Sequence, residues 1–288
     1  MSGTILVTGA TGTVGRHVAS ELAGRDCSLR VGLRSPDEAP DHVPDTAEIV
    51  AFDFARPETW GEALDGVDGL FLMRPPVVDA GTVSEFAEAA ARVGVEHIAY
   101  LSTIGAEKNP LVPHHRIEKR VAATDAAHTL LRASFFMQNL AEVHRDDVVE
   151  HDEIFVPAGD GETSFVDARD VGAVAATVLT EPGHENRAYD LTGSDALTYF
   201  EVAEVFSEVL DRQITYPEPS LFAFVRRMRG RGEALPFVAV MCAIYTTARL
   251  GLADRVTDDL REILSREPRS MRAFVEDYAD EFRSGSAQ

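Results

Sequence analysis

The chain has 288 residues, 45% hydrophobic and 26% charged, which is enough apolar material for a sizeable core and too mixed for a disordered segment. Its 48 acidic and 27 basic residues give a formal net charge of -21, and lysine is used only at Lys108 and Lys119. A surface of that sign repels nucleic acid and anionic membranes, so neither is an expected partner.

The first apolar run, TILVTG, has strand character and leads into the stretch VTGATGTVG, Val7 to Gly15, and then a helical pattern from about Thr13 to Ala23. The β-rich runs SLRVGLR, EIVAFD, GLFLM, HIAYLST and TLLRAS follow, with VSEFAEAAARVG and HHRIEKRVAAT between the later ones at helical spacing. This alternation predicts an α/β fold built on a doubly wound parallel sheet of Rossmann type, with ligands at the carboxyl ends of the strands. Beyond about Phe155 the pattern changes to VDARDVGAVAATVL, the strand-like RAYDLTG, and then mostly helices. Thr198 and Glu201 have the spacing of a capping box for a helix running to Leu210. The expected organisation is therefore a nucleotide-binding domain over residues 1–155 and a smaller, mainly helical substrate lobe over 156–288, interleaved with the sheet.

The longest apolar stretch, LPFVAVMCAIY from Leu235 to Tyr245, falls short of the ~20 residues of a bilayer span and reads as a buried helix. The start, MSGTILVTG, has no feature of a targeting segment. Cys27 and Cys242 stand far apart and in no metal-ligand spacing, which suits reduced thiols in a cytoplasmic protein, and no metal site is expected. The acidic, lysine-poor composition fits a salt-loving source and, equally, an ordinary acidic protein of an arginine-rich host.

Gly9, Gly12 and Gly15 carry the first chemical signal. A strand delivers them to the head of a helix, where missing side chains permit a tight turn, close approach of backbone to a pyrophosphate, and close packing of helix on sheet. The helix start adds amides and the positive end of the helix dipole. The second signal lies 19 residues beyond Gly15, where RVGLRSP presents Arg34 at a strand end. An acid there would hold the 2′-hydroxyl of NAD, whereas Arg34 suits the 2′-phosphate of NADP, and Pro36 turns the nearby Asp37 away. NADP, as NADPH, is therefore expected in preference to NAD.

TGATGTVG resembles the TGxxGxxG fingerprint of the extended and atypical short-chain dehydrogenase/reductase superfamily. FLMRPP, AYLSTIGAEKNPLVPHHRIEK and LRASFFMQNL are similar, in order and spacing, to its NmrA-like branch. That branch holds NADPH-dependent quinone and alkaloid-type reductases as well as cofactor-binding regulators without turnover. The resemblance implies that Thr11, Thr13 and Val14 join the three glycines around the pyrophosphate, and that Asp53 and Phe54 flank the adenine. Met73, Arg74 and Pro75 would line the groove after the fourth strand, with Ser102 and Thr103 near the nicotinamide. Phe135, Phe136 and Met137 would be either a cofactor-and-substrate wall or plain core.

The superfamily's usual catalytic pair is Tyr-x-x-x-Lys, in which the ammonium lowers the tyrosine's pKa and orients the ribose. Here His115 stands at the tyrosine position, four residues before Lys119, and no tyrosine of the chain has lysine four residues on. Lys119 is expected on the nicotinamide ribose. His115 is either a proton relay or a surface histidine, and Ser102 is a further candidate for a late proton. The expected function is NADPH-dependent reduction of a small hydrophobic electrophile such as a quinone, with a redox-sensing binding protein as the rival. The sequence leaves both a homodimer and a regulatory protein partner open. RRMRGRG, with Arg226, Arg227, Arg229 and Arg231, is expected to be a solvated helix end.

Overall fold

The computed structural model describes residues 3–283. Ten strands are present among them: β1 Thr4–Thr8, β2 Ser28–Leu33, β3 Glu48–Ala51, β4 Gly69–Leu72, β5 His97–Thr103, β6 Ala127–Ala133, β7 Phe135–Phe136, β8 Thr163–Val166, β9 Arg187–Leu191 and β10 Ala196–Leu197. The helices are α1 Gly15–Ala23, α2 Trp60–Leu64, α3 Ala80–Arg92, α4 Pro113–Val121, α5 Gln138–Glu142, α6 Arg145–His151, α7 Ala168–Thr180, α8 Tyr199–Leu210, α9 Leu221–Gly230, α10 Leu235–Arg249, α11 Asp259–Leu264, α12 Met271–Asp277 and α13 Ala279–Arg283.

Seven strands form one sheet in the order β3-β2-β1-β4-β5-β6-β9. All six of its pairings are parallel, so the expected doubly wound α/β sheet is present. The order reverses direction between β1 and β4, which makes the carboxyl ends of those two strands the switch point where ligands bind in open α/β sheets. Central strands covered on both faces are apolar throughout rather than alternating, as in the fully buried run from His97 to Ser102. One face packs Leu6, Leu70, Leu72, Ile98 and Tyr100 against Val83 and Phe86 of α3 and Ile117 and Val121 of α4. On the other face Gly69 leaves room for Leu179 of α7, and Gly172 of α7 lies so close to α1 that a Cβ there would meet His17 at 2.6 Å.

The chain divides into two compact units. The first comprises residues up to Ala133 together with Ala168–Leu191 and Asp259–Glu267, and the second Ser134–Asp167, Thr192–Asp258 and the stretch from Pro268. The single boundary expected near residue 155 thus differs from these divisions: the chain leaves the sheet unit after β6 and returns for α7, β9 and α11. The second unit holds the three-stranded sheet β10-β8-β7 and an apolar core drawn from α5, α6, α8, α9, α10, α12 and α13. The capping box of α8 forms as the sequence suggests, with Thr198 accepting from the Glu201 amide and Glu201 accepting from the Thr198 amide. The helix read as buried over 235–245 extends to Arg249 and buries one face only, through Val238, Met241, Tyr245 and Ala248.

Candidate functional site

The glycine turn is built by backbone contacts that tolerate no side chain at two of its three positions. Gly9 has φ of 67°, a left-handed conformation, and a Cβ there would meet the Met73 side chain at 2.7 Å. At Gly15 a Cβ would stand 2.1 Å from the Gly9 carbonyl oxygen, so this glycine lets α1 begin against the turn itself. Gly12 is different: its amide donates to Gly9 O at 2.9 Å, yet a Cβ there would find nothing nearer than 3.4 Å. The space over Gly12 is open in the protein's own packing, which is the cradle that a close-lying pyrophosphate requires. The first helical residue is Gly15 and not Thr13, because Thr11 to Val14 belong to the turn, and Val14 caps α1 without a side-chain bond. Amides at a helix start have no intrahelical acceptor, and they add to the dipole's attraction for phosphate.

Thr8, at the end of β1, ties the turn to β4: its hydroxyl donates to Phe71 O at 2.9 Å and accepts from the Met73 amide at 3.2 Å. Arg74 donates to Pro76 O at 3.1 Å beside the half-buried Pro75. Arg34, directly after β2, is exposed and forms no ion pair among the described residues, so its guanidinium is available to an anion. Asp53 accepts from the Ala55 amide at 2.9 Å and receives Trp60 Nε1 on its carbonyl. Phe54 departs from the expected adenine contact, because its ring is buried and edge-on to Phe52 and Phe86 in the core.

At the carboxyl end of β5 the structure brings together residues the sequence reading did not connect. Ser102 is buried and its hydroxyl donates to Glu118 Oε1 of α4 at 2.6 Å. The same carboxylate takes a two-pronged contact from Arg132 of β6, Nε at 3.0 Å and Nη2 at 2.8 Å, which raises the Arg132 pKa. Ser102 was expected as a proton source, but its hydroxyl is buried and its hydrogen goes to Glu118. His115 Nδ1 lies 2.7 Å from Ala106 O, and since a carbonyl only accepts, Nδ1 carries the hydrogen and a neutral ring keeps Nε2 as an acceptor. Lys119, one turn on, is exposed and unpaired among the described residues.

Beside them the Tyr100 hydroxyl and His114 Nδ1 share a hydrogen bond at 2.7 Å. Burial, with the positive Arg74 nearby, pushes His114 down to about 4, and burial pushes the Tyr100 phenol up. Neither group exchanges protons near neutrality. Glu118, Arg132 and His114 were missed, although a charged residue inside the strand pattern TLLRAS and a histidine pair after Pro113 were the visible signs.

Phe135 and Phe136 belong to β7 in the second unit, both half-buried, with Phe135 edge-on to Phe165 and tilted against Tyr245. The basic run is only partly a solvated end. Arg227 and Arg231 both reach the buried Asp147, at 2.8 and 2.7 Å, and Arg227 also lies over the Phe155 ring. Burial alone would raise the Asp147 pKa, but contacts with His144, Arg231 and Arg227 hold it down to about 2. His144, also buried, meets the Tyr245 hydroxyl through Nε2, and its pKa is lowered by burial against the opposing pull of Asp147. Among the described residues no group of His, Cys, Asp or Glu could hold a metal ion, and no helix is long and apolar enough to cross a membrane.

With this geometry in view, the similarities to known proteins are specific. An NAD(P)H azoreductase of Xenophilus azovorans is 32% identical over 283 residues, covering 96% of this chain and 99% of that protein. The Citrobacter sp. triphenylmethane reductase, solved with NADP(H), superposes with a TM-score of 0.83 at 28% identity over 95% of this chain and 99% of its own. The NADPH-dependent quinone oxidoreductase QOR2 of Escherichia coli, solved with NADPH, gives 0.84 at 26% identity over 96% and 99%. The NmrA-like family matches residues 1–274 of the sequence, and the chain belongs to that family.

Proposed function

We propose that this protein is an NADPH-dependent reductase of a small hydrophobic electrophile, with a quinone as the type case, and that it transfers hydride without help from a protein acid. The observation that carries the reading is the hydrogen inventory at the carboxyl end of β5 and the start of α4. Ser102 donates to Glu118, His115 donates to Ala106 O, and Tyr100 and His114 are occupied with one hydrogen bond to each other. What remains are acceptors, the Thr103 hydroxyl and the Lys119 ammonium. A carbonyl reductase needs a proton delivered to the developing alkoxide, whereas a quinone or an iminium ion accepts hydride first and takes any proton later from water.

The residues fit the cofactor in three places. The glycine turn and the head of α1 cradle the pyrophosphate, Arg34 takes the 2′-phosphate, and Lys119 takes the nicotinamide ribose. Bound NADPH supplies the hydride. Ser102, held by Glu118 and through it by Arg132, would help to hold the nicotinamide end of the cofactor. The azoreductase, triphenylmethane reductase and quinone reductase among the relatives support reduction of conjugated acceptors.

The test is loss of NADPH absorbance with a panel of quinones, enones, imines and aldehydes at molar salt, against a control without protein. Oxidation is expected with quinones and cationic imines and not with simple aldehydes. Lys119→Ala should weaken cofactor binding, and His115→Ala should leave binding intact with turnover changed only modestly. NADPH bound tightly and left unoxidised by every acceptor would refute the reductase and fit a cofactor-sensing binding protein.

A further inference from the structure

We propose that the α9–α10 surface is where two copies of this chain meet. An apolar pattern and a charge pattern converge there.

Among the described residues, nine of the fourteen exposed large hydrophobic side chains fall between Leu221 and Val256. They are ordered by helix geometry. On α10, Phe237, Val240 and Ile244 recur at spacings of three and four, which places them on one face, roughly a quarter turn from the stripe of buried Val238, Met241 and Tyr245. Val240 is 57% exposed. Ala239 and Ala243 lie between them, also exposed, and small residues among large ones allow a second helix to approach closely. On α9, which packs beside α10, Phe222 is 78% exposed and shares its face with Arg226 and Arg229. Soluble monomers rarely leave large side chains concentrated in this way.

The charge pattern selects the occupant. From Pro219 to Ala253 the sequence holds five arginines and one acid, Glu233, a net of +4 in a chain of -21. Arg227 and Arg231 are taken up by Asp147 and Glu153, and α10 itself carries no charged residue before Arg249 at its end. Two copies of so acidic a chain repel each other wherever carboxylates face carboxylates. They can meet without that repulsion across a neutral, apolar helix face, and a two-fold axis crossing α10 makes the face complementary to itself. α10 has 15 residues, so at ~1.5 Å per residue it offers about 22 Å of contact length. A standard interface buries about 800 Å² per partner, so α10 does not suffice alone and the exposed face of α9, with Phe222, contributes beside it. The contact strengthens as salt screens the acidic surroundings.

Sedimentation of the full chain across a range of NaCl tests the assignment. The unmodified protein should be dimeric in molar salt, with dissociation at least about tenfold weaker than at low salt. Val240→Glu and Val240→Lys, both at an exposed position, should be monomeric where the unmodified chain is dimeric, with melting temperature and NADPH affinity unchanged. Val240→Cys, in a Cys27→Ser and Cys242→Ser background, should be joined by a short bismaleimide into a covalent dimer. A monomer at every salt concentration overturns the proposal. So does a dimer that survives both charged substitutions, or one that dissociates as salt rises, since that dependence would mean ionic pairing through Arg226 and Arg229.

Discussion

Gly12→Ala and Gly15→Ala change the same atom count three residues apart and should have opposite consequences. At Gly15 the added Cβ would stand 2.1 Å from the Gly9 carbonyl oxygen, an overlap that only backbone movement can relieve. Overpacking of this kind costs about 1–3 kcal/mol or more, and with about 2–4 °C of melting temperature per kcal/mol in chains of roughly this size, a loss near 3 kcal/mol lowers the midpoint by about 6–12 °C. At Gly12 the nearest atom to the added Cβ is 3.4 Å away, and the residue has no positive φ, so the apo protein should keep its midpoint within about 1 kcal/mol of the original. The methyl group instead occupies the space the pyrophosphate needs. The NADPH dissociation constant should rise at least about tenfold, about 1.4 kcal/mol, in Gly12→Ala. Thermal melts without cofactor and NADPH titrations, run on both variants at the same salt, separate the two effects. Unchanged NADPH affinity in Gly12→Ala, or a loss of apo stability equal to that of Gly15→Ala, would refute the assignment of the open face of the turn to the cofactor.

Arg34→Ala should raise the NADPH dissociation constant while leaving that of NADH nearly unchanged, because the 2′-phosphate contact is lost and the pyrophosphate grip is kept; paired titrations check it. Acid should destabilise the fold below about pH 6.5. His114 stays neutral when folded down to about 4, yet takes a proton below about 6.5 when unfolded, so between those values the unfolded state binds more protons and stability falls as pH falls. The cost approaches about 3 kcal/mol for this residue at the lower end, and His144 and His97, both lowered by burial, act in the same direction. Denaturant midpoints across that window measure the slope, and His114→Gln should reduce it. The melting temperature should also rise from low to molar NaCl as the charge of -21 is screened, and a flat or falling trend would dismiss that expectation.

The parts of the fold carried by local pattern were legible in the sequence. The seven strands of the large sheet, the glycine turn and the α8 capping box follow from apolar period and turn chemistry and stand where those signals placed them, whereas the short strands β7, β8 and β10 gave no such signal. What escaped were relations between distant segments. Glu118 pairs with Arg132 across 14 residues and with Ser102 across 16, and no spacing rule joins a helix, two strands and a hydroxyl. The same holds for Asp147, whose partners Arg227 and Arg231 lie 80 and 84 positions away, which is why the basic run looked like a solvated end. Phe54 shows the opposite failure, since a motif-borne position was assigned to the cofactor while core packing with Phe52 and Phe86 claimed its ring. The outer face of α10 was hidden by composition: a helix apolar all round reads as buried, and the sequence does not say which side lacks a neighbour.

The claim at the centre of this account is hydride transfer without a protein acid, and the rate of NADPH oxidation by a quinone, compared for NADPH and NADPH deuterated at the transferring position, tests it most directly. The account predicts that deuteration slows kcat/KM and that the rate stays flat from about pH 6 to about pH 9, in the unmodified protein and in His115→Ala alike. Bound NADPH that no acceptor oxidises, or a pH limb that disappears in His115→Ala, would contradict it.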